Sequence, residues 1–274
     1  MNRRRNFLSA AALLTLFGVS KVQAHESTPS QPSSMVTSTP THDMSGIPED
    51  WKGNEKIAML LYPGFTALDL VGPQYMFGNL MGAQIYLVSA TLEPVMSDTK
   101  LAIVPNATYQ DVPKDLDILF IPGAGSAIFD VMNDTAAMAF IQDRASRAKL
   151  IASVCTGSVI LGKAGLLKGK RATSHWISRQ EIEVFGAIPV NERVVWDGNI
   201  VTGAGVSAGI DLGLEVIGKL KGDFFAESIQ LLAEYDPKPR YQSGRLEQAK
   251  PKVRQLMENM FVGYRKKIRS LKIR

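Results

Sequence analysis

Four short apolar runs, each closed by turn-forming or small residues, punctuate the chain between residues 56 and 154. Lys56-Ile-Ala-Met-Leu-Leu-Tyr62 ends at Pro63-Gly64; residues 84–90 and 117–122 follow, and Leu150–Val154 runs into Cys155. Runs of this length between such residues predict buried strands. Residues 69–80 and 127–147 carry apolar positions at helical spacing. Strands alternating with helices in short loops predict βαβ units and a parallel sheet, an α/β fold. Arg193-Val-Val-Trp-Asp-Gly-Asn-Ile-Val-Thr202 differs, because two short runs joined across Asp197-Gly198 predict a hairpin. Residues 205–234 read as helical, interrupted by glycines. Val253, Leu256, Met257, Met260, Phe261, Tyr264, Ile268 and Leu271 then make one apolar helical stripe, the pattern of core or subunit contact.

The N-terminal pattern is of another kind. Arg3-Arg4-Arg5 precede an apolar run over residues 7–19, and Val22-Gln23-Ala24 supplies a small-residue cleavage signature. Residues 1–24 therefore read as a signal peptide, too short to span a membrane. Arg4-Arg5-Asn6-Phe7-Leu8 fits the twin-arginine type, with an ordinary secretory signal as the alternative. Export to the bacterial periplasm is expected. Residues 25–50, rich in Ser, Thr and Pro, bury too little apolar surface to offset their ordering entropy and read as a flexible leader. The α/β domain is expected over residues 51–237 and a basic helical extension over 238–274; no transmembrane span is seen.

Charge sharpens that division. Residues 238–274 hold twelve Lys/Arg against Glu247 and Glu258, a net +10. Residues 25–237 hold fifteen basic and twenty-four acidic residues, a net −9. The simplest expectation is that the tail packs along its own acidic body or a second subunit; binding to a membrane surface is the sharper alternative. An exported protein is a poor partner for nucleic acid despite that basic end.

The chain has one cysteine, Cys155, so an intramolecular disulfide is excluded. Small residues able to start a helix follow it, which predicts a strand, a sharp turn and a helix beginning just past the sulfur. A helix N-terminus favours thiolate over thiol, and free N–H groups at such a turn can hold an oxyanion. A buried, inert cysteine is the plain alternative. Ligands of parallel sheets sit beyond the carboxyl ends of the strands, which directs attention to three loops. Asp69 follows the first strand at a helix start, where an N-cap is its ordinary role. Pro122-Gly123-Ala124-Gly125-Ser126 follows the third, with backbone N–H groups suited to an anion. Cys155 follows the fourth. His25 and His42 lie in the leader, leaving His175 as the one body histidine, near the end of another short strand. It is a candidate thiol activator or a packing residue. One Cys and one body His fall short of a zinc site, and neither a P-loop nor a dinucleotide fingerprint is present, so no cofactor is expected.

Several runs together resemble a known family. Val154-Cys-Thr-Gly-Ser-Val-Ile-Leu-Gly-Lys-Ala-Gly-Leu-Leu-Lys-Gly-Lys-Arg-Ala-Thr-Ser-His-Trp176 is similar to the ThiJ/PfpI superfamily, and its closest branch is that of isonitrile hydratase. Leu68-Asp-Leu-Val-Gly-Pro73, Asp117-Ile-Leu-Phe-Ile-Pro-Gly123, Thr202-Gly-Ala-Gly-Val-Ser-Ala-Gly-Ile-Asp-Leu212 and Ala233-Glu-Tyr-Asp-Pro237 fit the same branch. The resemblance covers about residues 55–250. It implies a flavodoxin-like, class I glutamine amidotransferase-like sandwich of parallel sheet and helices, with a small β-hairpin addition. It further implies a cofactor-free enzyme in which Cys155 attacks an isonitrile carbon and Asp69 delivers a proton. Thr156 supplies a backbone N–H and a hydroxyl, and Gly123 and Ala124 supply further N–H donors. His175 matches the superfamily position, and a homodimer acting on a small molecule is the family expectation. Gly123-Ala124 replaces the two glycines of many relatives. Ile177 stands where amidotransferases carry glutamate, so amidotransferase chemistry is not expected. A glyoxalase-like or redox-responsive stress protein and a non-enzymatic periplasmic binding protein are the alternatives.

Overall fold

The computed structural model describes residues 43–271; the expected signal peptide and most of the 25–50 leader lie outside them. The body begins at Ile47. In chain order it runs β1 (Lys56–Leu60), α1 (Ala67–Gly78), β2 (Gln84–Ser89), the short pair β3 (Val95–Met96) and β4 (Ala102–Ile103), β5 (Ala107–Thr108) and β6 (Ile118–Ile121). Helices α2 (Ile128–Asn133) and α3 (Thr135–Ala145) lead to β7 (Leu150–Val154) and α4 (Gly157–Lys163). Next come β8 (Arg171–Ala172), a 3₁₀ segment at Gln180–Phe185, β9 (Ile188–Pro189) and the hairpin β10 (Val194–Asp197) and β11 (Ile200–Gly203). Helices α5 (Ala208–Lys221), α6 (Asp223–Leu232), α7 (Pro251–Met260) and α8 (Val262–Arg269) follow.

The main sheet has seven strands in the order β10-β11-β7-β6-β1-β2-β5. All neighbours are parallel except β10 and β11, so the expected hairpin forms the edge of the sheet. Strands β6 and β7 are buried at every position, and β1 at all but Lys56, which accounts for their unbroken apolar runs. From β1 the chain steps one way to β2, and from β6 it steps the other way to β7. Right-handed crossovers then place α1 and the pair α2–α3 on opposite faces. The reversal leaves a crevice beyond the carboxyl ends of β1 and β6, the ordinary ligand position of such sheets. The loops after β1, β6 and β7 carry Asp69, Gly123 and Cys155 to that end.

Two expectations change in detail, and the glycine break expected in 205–234 is located. Residues 127–147 form two helices, because Asp134 adopts extended backbone (φ −77°, ψ 108°) and its side chain caps the Ala136 and Ala137 N–H groups. The 205–234 stretch breaks at Gly222, whose φ of 86° favours glycine. The tail stripe divides: Tyr264, Ile268 and Leu271 pack against the core, while Val253, Leu256 and Met260 are exposed. Arg269 of α8 pairs at 2.8 Å with Glu181, whose side chain is only 3% exposed. The basic tail thus meets an acidic residue of its own body. Among the described residues no helix is long and apolar enough to cross a membrane.

Candidate active site

Strand β7 delivers Cys155 to a turn that most residues avoid. Its φ is +59°, the left-handed region, at a cost on the order of 1 kcal/mol or more for a residue with a Cβ. Five hydrogen bonds hold it there. The Cys155 N–H donates to the Gly203 and Ala204 carbonyls at 3.1 and 2.7 Å. The Cys155 carbonyl accepts from Ser158 Oγ (3.2 Å), Ser174 Oγ (3.0 Å) and the His175 N–H (3.3 Å). Ser174 was not legible as a site residue; it acts through the backbone it anchors.

Asp69 lies in the first turn of α1, but Thr66 occupies the N-cap position. The N-cap role is therefore not its own. Asp69 is fully buried; its Oδ2 accepts the Gly123 N–H at 2.9 Å, and among the described residues its Oδ1 has no backbone or hydroxyl donor. Burial pushes its pKa up to about 7, against the opposing pull of the Cys155 thiol and the Gly123 N–H. The thiol is shifted too. Burial raises it well above its ordinary value and the Asp69 carboxylate adds to that, while the Val206 and Thr156 N–H groups oppose. This corrects the expectation of a thiolate favoured by the helix start: α4 is two turns long, and desolvation outweighs it. Thiol and carboxyl each shift the other's titration, as neighbouring coupled groups do.

Gly123 and Ala124 do not serve as free oxyanion donors, another correction. The Gly123 N–H is committed to Asp69, and the Ala124 N–H donates to Thr156 Oγ1 at 2.9 Å. Thr156 Oγ1 in turn donates to the Ala124 carbonyl at 2.6 Å. These bonds tie the β6 loop to the elbow and fix Asp69 opposite the sulfur. A Cβ on Gly123 would stand 2.5 Å from the Thr156 nitrogen and 2.8 Å from Asp69 Oδ2, so only glycine fits between them. The N–H groups facing the sulfur belong to Thr156 and Val206. Val206 carries no local signal of this role in the sequence, although its φ of 21° marks it in the structure.

His175 meets Cys155 through the backbone. Its Nδ1 accepts the Ile177 N–H at 3.3 Å, and among the described residues its ring makes no hydrogen bond to the thiol. Burial, with Arg179 nearby, lowers its pKa to about 4, which keeps the ring neutral. A cavity of about 300 Å³ opens beside the elbow, bordered by His175, Val206, Arg179, Arg193 and Glu247. Among the described residues no group of three His, Cys, Asp or Glu is placed to hold a metal ion.

A parallel α/β sheet with a strained, buried cysteine at one strand end and a carboxyl from a neighbouring loop facing it defines a nucleophile-elbow protein of the cysteine type. Residues 55–219 match the DJ-1/PfpI family, and the chain belongs to that family. It is 44% identical over 189 residues to an isonitrile hydratase of Pseudomonas putida, covering 69% of this chain and 82% of that protein. A ThiJ/PfpI family protein of Pseudomonas syringae has a crystal structure that superposes with a TM-score of 0.81 at 48% identity, covering 84% of this chain and 98% of that one. A deglycase of Thermococcus kodakarensis is 30% identical over 148 residues, covering 54% of this chain and 88% of that protein.

Proposed function

We propose that the protein adds water to a small isonitrile and releases an N-substituted formamide. The observation that carries this reading is the buried Cys155–Asp69 pair on its strained elbow, taken with 44% identity to an isonitrile hydratase. Transfer of the thiol proton to Asp69 gives a thiolate beside a carboxylic acid without changing the charge of the site. The sulfur attacks the terminal isonitrile carbon, and Asp69 donates its proton to that carbon, giving a neutral thioimidate. Water then adds to the carbon; Asp69 takes a proton from it and passes one to the nitrogen. As the carbon–oxygen double bond forms, the carbon–sulfur bond breaks and the hydroxyl proton returns to Asp69. One water is consumed, and the pair regains its starting proton. Low local dielectric strengthens each of these transfers.

Cyclohexyl isocyanide incubated with the protein is expected to yield the formamide, and Cys155→Ala is expected to reduce turnover to background. Wild-type turnover by Cys155→Ala contradicts the proposal. A second reading, glyoxalase-like chemistry, draws on the deglycase relative; turnover of methylglyoxal with none of isonitrile favours it. Export to the periplasm is part of the proposal, supported by the twin-arginine signature in residues 1–24, and cell fractionation tests it.

A further inference from the structure

The cavity beside the elbow is lined by a guanidinium that these steps leave unused. Its volume of about 300 Å³ lies at the lower end for small-molecule sites. Two of its lining residues are bonded to the backbone of the nucleophile. The Ala204 carbonyl accepts the Cys155 N–H at 2.7 Å, and the His175 N–H donates to the Cys155 carbonyl at 3.3 Å. Trp176, Val206 and Leu246 supply apolar wall. Two arginines of the α/β body also line the cavity, and they differ. Arg193 is committed: its Nε donates to Asp211, which also accepts the Tyr235 hydroxyl at 3.2 Å, and its terminal nitrogen reaches Ser207 Oγ at 3.4 Å. Arg179 is not. Its side chain is only 18% exposed, yet among the described residues its guanidinium makes no hydrogen bond, and its one ion-pair contact is Glu247 Oε1 at 3.8 Å. That separation is beyond hydrogen-bond reach, and a pair with a carboxylate that is 55% exposed stabilises little. A fork of N–H donors shaped for a carboxylate is left without an acceptor at the edge of the cavity.

We infer that this cavity is the substituent pocket of the Cys155 site and that Arg179 receives a carboxylate there, so that the substrate is an isonitrile whose substituent carries a carboxylate. The naming of an isonitrile rests on the reading given above; the anion site does not. Glu247 already presents a carboxylate to the same guanidinium, held at that distance by Asn191, whose Nδ2 donates to Glu247 Oε1 at 3.1 Å. A substrate carboxylate at bonding distance gains the charge-assisted, bidentate contact that Glu247 does not make. With Arg193 neutralised by Asp211, the one uncommitted guanidinium of the body suits a single negative charge. The Glu247 charge opposes that ligand, so removing it strengthens binding. Glu247 belongs to the stretch between α6 and α7, which forms no helix or strand. The basic extension thereby reaches the mouth of a pocket otherwise built from the α/β body.

The test compares 4-isocyanocyclohexanecarboxylate with its methyl ester, and with cyclohexyl isocyanide as the unsubstituted reference. Wild type is expected to favour the carboxylate over the ester. Arg179→Gln should lower the carboxylate-to-ester ratio of kcat/KM about tenfold or more, the worth of a charge-assisted bond, and should do so through KM, because the guanidinium touches no reacting atom. Arg179→Lys keeps the charge without the fork and should fall between the two. Glu247→Gln, at an exposed position, should raise the ratio. An unchanged ratio in Arg179→Gln overturns the assignment, as does a fall carried by kcat alone or a Glu247→Gln ratio below wild type; turnover of cyclohexyl isocyanide then leaves the isonitrile reading standing. A wild-type protein inert towards all three compounds overturns the isonitrile reading, and the anion site is then judged by protection of Cys155 from iodoacetamide. Cyclohexanecarboxylate should protect at a lower concentration than cyclohexanecarboxamide, and Arg179→Gln should abolish that difference. Equal protection by the two, or none, overturns the site as well.

Discussion

Asp69→Asn should lower isonitrile turnover by about 10³-fold, the size typical of losing a general acid, while making the protein more heat-stable at pH 8. The two effects share one cause. Asn retains an oxygen to accept the Gly123 N–H but has no proton to exchange with the sulfur. The stability effect follows from the raised pKa. Burial lifts Asp69 from 3.8 to about 7, so between those values the folded protein holds a proton that the unfolded chain has released. Stability therefore falls as pH rises through that window, and the loss is complete above pH 7. Asn carries no charge and escapes it. Melting curves should show Asp69→Asn roughly 5 °C above wild type at pH 8 and close to it at pH 4. A variant less stable than wild type at pH 8 contradicts the buried, proton-hungry carboxyl described here.

Gly123→Ala should be nearly as damaging to turnover, although it removes no reactive group. The added Cβ would meet the Thr156 nitrogen, the Thr156 hydroxyl and Asp69 Oδ2, all within 2.8 Å. Backbone cannot yield as a flexible side chain can, so the β6 loop and the elbow must separate. A shift of that kind costs about 1–3 kcal/mol in stability. It also parts the carboxyl from the thiol, where an ångström of displacement costs about 10²-fold in rate. Activity and melting temperature should fall together, in contrast to Asp69→Asn, where they move apart. A fully active Gly123→Ala protein would show that the tight Gly123–Thr156–Asp69 contact does not govern the chemistry.

Local signals were legible where the structure they specify is local. Leu150–Val154 reads as a strand to the residue, because an unbroken buried run ends at a turn that its own small residues form. The hairpin across Asp197-Gly198 is legible for the same reason. The break at Asp134 is hidden, since Ala136, Ala137 and Phe140 continue the apolar spacing straight past a capping residue. The loops carrying Asp69, Gly123 and Cys155 could be located from strand ends alone. How their hydrogen bonds pair could not be: Gly123 spends its N–H on a residue 54 positions away, and Ala124 on one 32 away. The direction of the thiol shift is likewise non-local, set by burial and the Asp69 carboxyl rather than by the helix that follows.

The central claim is that Cys155 and Asp69 act as one proton-sharing unit, and the pH dependence of kcat/KM for cyclohexyl isocyanide tests it most directly. At low pH both groups hold protons and the sulfur is a thiol without an acceptor. Loss of the first proton from the pair, set by the Asp69 value of about 7, leaves a thiol beside a carboxylate, from which internal transfer reaches the reactive thiolate–carboxylic acid form. The rate should climb about tenfold per pH unit below 7 and level off above it. A rate that rises only in the alkaline range of an isolated thiol, or one flat from pH 5 to pH 9, would contradict the pair.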